Sequence, residues 1–420
     1  MRRYESYKDS GVEWLGDVPA HWEVKKMKFL FTDTSIKNKP NETLLSVTQN
    51  RGVIPRDWLE ERTVMPSGNL ETFKFIEKDD FAISLRSFEG GLEICHHSGI
   101  ISPAYTVLKY NKKLLNNGYY KYLFKCQKFI SEMQTSIVGI REGKNISYEE
   151  LRYSYLPIPQ TIEQQKIAQF LDNKTAKIDQ AVALAEKQIA LLKEHKQILI
   201  QNAVTRGLNP DVPLKDSGVE WIGQMPDHWE VSSLGKMLLP VSEKNKPNLP
   251  LLSITRELGV IERDVEDQES NHNFIPDDLS NYKVLKEGQF GMNKMKAWQG
   301  SYGVSRFTGI VSPAYYIFDF IKSVNPRFFH WAIRSKIYIS FFGSASDGVR
   351  IGQWDLSKSR MKSIPFIIPS YTEQVQIADY LDQQAVKIDQ AIALKTAHIE
   401  KLKEYKSVLI NDVVTGKVRV

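Results

Sequence analysis

Apolar residues recur at alternating steps of four and three along residues 161–204, TIEQQKIAQFLDNKTAKIDQAVALAEKQIALLKEHKQILIQNAV. The seam runs through Ala168, Leu171, Thr175, Ile178, Val182, Ala185, Ile189, Leu192, Lys196, Leu199 and Ala203. The stretch holds no Gly or Pro and is rich in Ala, Leu, Lys, Gln and Glu, so the pattern predicts one long helix, roughly 60 Å at ~1.5 Å per residue. A heptad seam of this length wants a partner helix. Residues 371–414 supply one, with the seam Ala378, Leu381, Ala385, Ile388, Ile392, Lys395, Ile399, Leu402, Lys406, Leu409 and Val413, each 210 residues after its counterpart (378 − 168 = 210). Two ordinary amphipathic helices in separate cores would not need so strict a register. Capping boxes are expected at both starts, Thr161 with Gln164 and Ser370 with Glu373.

The paired helices belong to a duplication of the whole chain, far longer than a solenoid repeat. Lys8 to Val24 reads KDSGVEWLGDVPAHWEV and Lys215 to Val231 reads KDSGVEWIGQMPDHWEV, an offset of 207 (215 − 8 = 207). KNKPN occurs at 37–41 and again at 244–248, and LLSVTQNRGVIPRD at 44–57 answers LLSITRELGVIERD at 251–264. GIISPAY at 99–105 answers GIVSPAY at 309–315, now at offset 210, and IVGIREGKNIS at 137–147 matches SDGVRIGQWDLS at 346–357 more loosely. Between the helices lie two globular stretches, 1–158 and 208–368, with the helical segments at 159–207 and 369–420. Alternating and aliphatic runs predict strands near 44–47, 81–85 and 100–107 and at their repeats. Helices are expected at 114–135 and 147–153, the latter with a Ser147/Glu150 capping box.

Because 208–230 follows the first long helix directly, its copy 1–23 is expected to pack where the second long helix ends. The helices are then antiparallel, with the two heads related by a pseudo-twofold axis. The fold class is α+β: two mixed α/β domains separated by two long antiparallel coiled-coil helices in a pseudo-twofold internal repeat.

The chain has 420 residues, 42% of them apolar and 25% charged, with a net charge of +6. This permits an anionic partner without demanding one. Cys95 and Cys126 are its only cysteines, too few for a disulfide framework or a zinc site. The start, MRRYESYKDSGVEW, lacks an apolar leader, and no run approaches the ~20 apolar residues of a membrane span. A soluble, cytoplasmic protein is expected.

The copies keep their frame but diverge at 58–98 and 265–308, which suggests two related, non-identical ligands. At offset 210, Arg86-Ser87-Phe88-Glu89-Gly90 faces Lys296-Ala297-Trp298-Gln299-Gly300, preceded in the second copy by Lys294. Each places a cation and an aromatic before a glycine, a pattern compatible with a loop that reads base edges; the plainer reading is a basic hairpin tip over a half-buried aromatic. Lys37, Lys39, Lys244 and Lys246 repeat in a Pro/Asn-rich turn suited to neutralising phosphates, although lysines are common in surface turns. Arg51 with Arg56 and Arg256 with Arg263 flank turns at Gly52 and Gly259. Arg141 with Lys144 and Arg350 with Gln353 lie in Gly-punctuated loops before a helix. These complete the candidate DNA contacts.

Catalytic signals fail on inspection. SPAY at 102–105 and 312–315 resembles the S-P-P-Y type motif of amino-methyltransferases, but its third position differs and no Gly-rich S-adenosylmethionine loop precedes it; a buried strand end explains it better. Gly139-x-x-x-Gly143-Lys144 is one residue short of a P-loop, and Asn145 stands where Ser or Thr must hold Mg²⁺. His96 and His97 lack a third metal ligand. No catalytic residue and no cofactor or metal of its own is assigned to the chain.

The GVEW-[LI]-G-x-x-P-x-HWEV block, GI-[IV]-SPAY, the P-x-x-x-EQ-x-x-I helix start and the ID helix core resemble specificity (S) subunits of type I restriction–modification systems, over both copies and in the expected order. The resemblance implies two target-recognition domains, each reading half of a bipartite, asymmetric DNA site, and two long helices that set the spacing and dock partners. It implies as partners two methyltransferase (M) subunits, which use S-adenosylmethionine to methylate adenine, and restriction (R) subunits that use ATP and Mg. Two other readings stand beside it. One is a self-sufficient DNA methyltransferase or nuclease with degenerate motifs. The other is a coiled-coil scaffold joining two protein-binding heads without DNA contact. Lys196, Lys395 and Lys406 in the seam either fix register or mark where partner subunits replace helix–helix contact.

Overall fold

The computed structural model describes residues 2–49, 51–59, 69–85, 87–138, 145–264, 275–320, 324–350 and 353–420. The chain divides into two compact units, Met1–Glu186 with Thr396–Val420, and Lys187–Lys395. Each contains one head and part of each long helix, Thr161–Arg206 and Tyr371–Val414. No helix among the described residues is long and apolar enough to cross a membrane.

In the first unit, an antiparallel sheet runs in the spatial order Phe31–Thr34, Thr106–Tyr110, Phe81–Ile83, Glu93–Ile94. In the second unit, Leu238–Val241, Tyr315–Phe320, Phe290–Asn293 and Tyr302–Val304 repeat that order. Two-stranded ladders surround each sheet. Glu23–Lys26 pairs with Tyr155–Ile158, as Glu230–Ser233 pairs with Pro365–Ile368. Leu45–Thr48 pairs with Gly52–Pro55, as Leu252–Thr255 pairs with Gly259–Glu262. Gly52 and Gly259, both at φ +73°, supply the left-handed residue that each hairpin turn needs.

Several sequence expectations change in detail. The strand expected at 100–107 breaks into Gly99–Ile101 and Thr106–Tyr110. Between them SPAY is a half-exposed turn rather than a buried strand end: Ser102 Oγ accepts from the Ala104 N–H at 3.3 Å, and Ser312 Oγ from Ala314 at 3.4 Å. Proline removes a ladder donor, and the serine hydroxyl offers the turn an alternative. The helix expected at 114–135 is two, Asn117–Leu123 and Gln127–Gln134. At the break Lys125 turns to the Glu93 carboxylate and the Gln49 carbonyl.

Of the three capping boxes, only Ser370/Glu373 forms, with Glu373 N–H to Ser370 Oγ at 3.3 Å and Ser370 N–H to Glu373 Oε2 at 3.2 Å. Gln164 is fully buried and spends its amide elsewhere, accepting from Asn116 N–H at 2.7 Å and donating to the carbonyls of Leu114 and Pro159. Gln374, 210 residues on, does the same work at Asn325 and Pro369. Ser147 makes no side-chain cap bond to its four-residue helix, Tyr148–Leu151.

The HW pair of each HWEV block explains its recurrence. Trp22 is fully buried, and its Nε1 donates to Glu163 in the first turn of the long helix at 3.1 Å, where His21 also binds at 2.9 Å. Trp229 and His228 meet Glu373 at 3.1 and 2.8 Å. Glycines follow each long helix in the left-handed conformation, Gly207 at φ +76° and Gly416 at φ +75°. A Cβ on Gly416 would lie 2.3 Å from Pro19 and 3.0 Å from Trp22. Segment 1–23 does pack where the second long helix ends: Tyr7 donates to the Lys417 carbonyl, Lys417 to that of Asp17, and Arg2 bridges Arg419.

No seam position of either helix is exposed. In the first unit, Trp22 meets both Glu163 and Gly416 while Lys406 Nζ holds both Asp179 oxygens at 2.6 and 2.7 Å, so the helices run antiparallel. In the second unit, Lys196 holds Asp389 at 2.7 Å and Lys395 reaches Gln188 at 2.6 Å, again antiparallel. The two ion pairs are the same pair 210 residues apart (179 + 210 = 389; 196 + 210 = 406). The seam lysines thus bind across the paired helices within each unit, Lys196 and Lys406 to aspartates and Lys395 to an amide.

Candidate nucleic-acid interface

Each head gathers two of the segments that the sequence offered separately. In the first, Phe88 lies on the helical turn Ser87–Gly90, half-buried against the head's core, and Gln134 Nε2 donates to its carbonyl at 3.0 Å. The ladder Ile137–Val138 with Asn145–Ile146 packs on the same turn. Arg86, Arg141 and Lys144, and the P-loop-like stretch 139–144, lie outside the described residues.

In the second head, Trp298 lies on the turn Ala297–Gln299, its ring 4.9 Å from that of Trp354 on the strand Gln353–Leu356. That strand pairs with Ser346–Arg350, which places Arg350 and Gln353 opposite one another on the hairpin beside the turn. Lys294 joins the two segments: its carbonyl accepts from Leu356 N–H at 3.2 Å and its ammonium pairs with Asp355 at 3.1 Å. Lys296 is exposed, while Trp298 and Gln299 are half-buried. Among the described residues Trp298 Nε1 has no acceptor. That nitrogen is itself buried, so what this turn presents outward is the exposed Lys296 beside a half-buried indole face.

The KNKPN turns are built alike. Asn38 and Asn245 take the left-handed conformation, φ +63° and +64°, which Asn tolerates better than most residues. Asn38 N–H donates to Glu71 and Phe75 N–H to Ile36; Asn245 N–H donates to Ser280 and Val284 N–H to Glu243. Lys37, Lys244 and Lys246 are exposed. Lys39 differs, its ammonium 3.6 Å from the Phe75 ring centroid and 3.8 Å from Glu42.

Beside these turns stand two lysines that sequence reasoning missed. Lys74 Nζ donates to the Tyr105 carbonyl and Lys283 Nζ to the Tyr315 carbonyl, each at 2.6 Å, so each SPAY turn ends on a half-buried ammonium. Burial, then the charge of Lys37, holds Lys74 below the ordinary lysine range. Burial, then Lys244, Lys294 and Lys358, does so for Lys283. Each spends one of three donors on a neutral carbonyl, and crowded cations of this kind are relieved by an anion. The available signal was their near-repeat at an offset of 209 (283 − 74), but it falls where the copies lose register.

The arginine hairpins serve otherwise. Arg51 lines a hollow of about 440 Å³ with His96, Lys121, Lys125 and Lys406, whereas Arg56 lines another of about 320 Å³ with Phe73, Ser102 and Tyr105. Arg256 is exposed, and its carbonyl accepts from Arg334 at 3.0 Å, which also holds the carbonyls of Glu257 and Tyr302. Lys125 grips the equivalent Gln49 carbonyl at 2.9 Å in the first head. Its partner Glu93 is pushed up to about 7 by burial, with Lys125 opposing. In the second head burial, reinforced by Arg334 and Arg306, pushes His330 down to about 3; its Nδ1 accepts from Val304 N–H at 3.2 Å.

Each unit thus repeats one sheet and one helix clasp under surface segments that differ between the copies. The comparisons agree. The chain is 23% identical, over 97% of its length and 96% of the relative's, to a Methanocaldococcus jannaschii protein named provisionally as the MjaX specificity subunit of a type I restriction enzyme. It is 24% identical, over 77% of its length and 75% of the relative's, to the MjaVIII type I restriction enzyme specificity subunit of the same organism. Among solved structures, it matches one described under complex assembly and conformational transition of the type I R-M system (TM-score 0.65, 12% identity, 96% of this chain and 99% of that one). It also matches the HsdS subunit from Thermoanaerobacter tengcongensis (TM-score 0.55, 13% identity, 96% and 98%). No protein-family model matches. The resemblance to type I specificity subunits thus holds over nearly the whole chain, and the fold is theirs.

Proposed function

We propose that this chain is the DNA-recognition subunit of a type I restriction–modification complex, itself without catalytic activity. The observation that carries the reading is the duplication: two heads share every strand pairing of their central sheets yet present different reading segments, Phe88 with its hairpin in one and Lys296, Trp298 and Gln299 with theirs in the other. Two similar but non-identical readers suit a bipartite, asymmetric site. Lys37 with Lys74, and Lys244 with Lys283, Lys294 and Lys358, supply the sequence-independent hold on phosphates.

Chemistry then falls to partners: methyltransferase subunits that use S-adenosylmethionine, with restriction subunits that use ATP and Mg. The stalk offers them a surface. Leu184, Leu191 and Ile198, seven residues apart on the first long helix, are 58%, 53% and 50% exposed, and Leu394 and Val408 repeat two of them on the second. Apolar residues at heptad spacing outside the seam suit further helices packing alongside.

The test is transfer of labelled methyl groups from S-adenosylmethionine to DNA by the chain alone and with the methyltransferase encoded beside it. Methylation only in the mixture is expected, and mapping the modified adenines gives both half-sites. Methylation by the chain alone would overturn the non-catalytic assignment; none in either would move weight to a protein-binding scaffold.

A further inference from the structure

The first head carries a surface cluster that neither its frame nor the reading segments explain. Phe29, Tyr153 and Tyr155 are 65%, 46% and 39% exposed. Three cations stand among them. Lys26 Nζ lies 5.3 Å from the Tyr155 ring centroid and 5.8 Å from that of Tyr153. Lys28 Nζ lies 4.9 Å from Tyr153 and 5.1 Å from Phe29, and the Arg152 guanidinium lies 5.4 Å from Tyr153. Arg152 pairs with Glu149 and Lys25 with Glu23. No carboxylate among the described residues pairs with Lys26 or Lys28.

The second head is an internal control. Its strands pair in the same register, Pro365 opposite Ser233 where Tyr155 stands opposite Lys26. The six equivalent positions there hold Ser233, Gly235, Lys236, Lys362, Ser363 and Pro365, so only the cation at 362 survives. That head folds on the same frame without the cluster. Packing therefore does not require these aromatics, and leaving three of them in water is a cost that binding would recover.

We infer that this cluster is a docking platform for single-stranded nucleic acid, carried by the first head and not by the equivalent positions of the second. Cations interleaved with exposed rings match what an unpaired strand offers, phosphates for the ammonium and guanidinium groups and free base faces for the rings. A duplex keeps its base faces stacked and out of reach, so the platform is separate from the duplex-reading segments and does not depend on them. An acidic polypeptide would satisfy the cations but would leave the ring faces with no special role.

The full-length protein is titrated into fluorescent oligothymidylate, with Phe29→Lys and Tyr153→Ser as variants, both taken from the second head's equivalent positions. Each is expected to weaken binding roughly tenfold, as loss of one stacked base does, with the melting temperature and duplex discrimination unchanged. Phe29→Lys adds a positive charge, so a purely electrostatic site would hold or tighten. Unchanged affinity in Phe29→Lys overturns stacking. Competition by polyglutamate that outmatches unlabelled oligothymidylate overturns it in favour of an acidic protein partner. Loss of cognate-duplex recognition in the wild type would count against the proposed function but leaves the oligothymidylate titration readable.

Discussion

The two heads are one fold with two chemistries. At the sheet, the helix clasp and the lysine turns, the second head repeats the main bonds of the first: Trp22 and Trp229 each donate to a first-turn glutamate, and Lys74 and Lys283 each cap a SPAY turn. At the reading segments and around the hairpin anchors they part. Lys125 with a buried glutamate pins one hairpin, and Arg334, which among the described residues holds carbonyls and no acid, pins the other. The shared bonds tie elements of the common frame together, whereas an exposed loop or an anchor needs only some donor in reach of a carbonyl. What is shared marks the scaffold, and what differs marks recognition.

The largest effect is expected at the clasp. Trp22→Ala and Trp229→Ala each remove a fully buried ring and one hydrogen bond to a glutamate that keeps its histidine, a loss of about 3–5 kcal/mol. Hydrogen exchange is expected to show each loss in the head that carries it; equal deprotection of both would break the picture of two separately clasped heads.

Next come the readers. Trp298→Ala is expected to cost roughly 1–3 kcal/mol of discrimination at one half-site and Phe88→Ala a similar amount at the other, scored by binding to half-site variants. If either variant relaxes both half-sites, the heads do not read independently. Lys74→Met and Lys283→Met are expected to weaken cognate and unrelated duplex alike and to lower the slope of log affinity against log salt by about 1. A change confined to the cognate site would make these lysines base readers instead.

The heads are also expected to respond to pH in opposite directions. Glu93 is raised from 4.5 to about 7 in the fold, so its contribution is full below pH 4.5 and is lost as pH rises through 7. His330 is lowered from 6.5 to about 3, so its contribution is present above pH 6.5 and is lost as pH falls toward 3. Glu93→Gln should flatten the first head's pH dependence and His330→Asn the second's; exchange profiles moving together would refute the assignment. The smallest effect is at the stalk. Asp179→Lys or Lys406→Asp should cost about 0.5 kcal/mol, because the pair is partly exposed, and the double reversal should recover it in a melting experiment.

The sequence was most legible where periodicity and duplication reinforce each other. The seam, its antiparallel pairing and the docking of segment 1–23 on the end of the second helix follow from a heptad pattern and an offset. It was least legible where a side chain has competing partners. Thr161 and Gln164 satisfy the capping-box pattern as well as Ser370 and Glu373 do, yet the incoming backbone at Leu114 and Asn116 claims Gln164 first. Lys39 looks like Lys37 in KNKPN, but Phe75 lies under it.

By itself, then, the chain determined its two-headed repeat, its long helices and the places where the copies diverge, because these depend on spacing along the backbone. Only the tertiary structure decided that the seam lysines Lys196 and Lys406 bind aspartates of the same chain, that Lys74 and Lys283 stand at the lysine turns, and that Trp298 meets Trp354 beside the hairpin of Arg350 and Gln353. Those outcomes depend on which donors and acceptors from distant segments arrive within about 3 Å of one another, and no local pattern carries that distance.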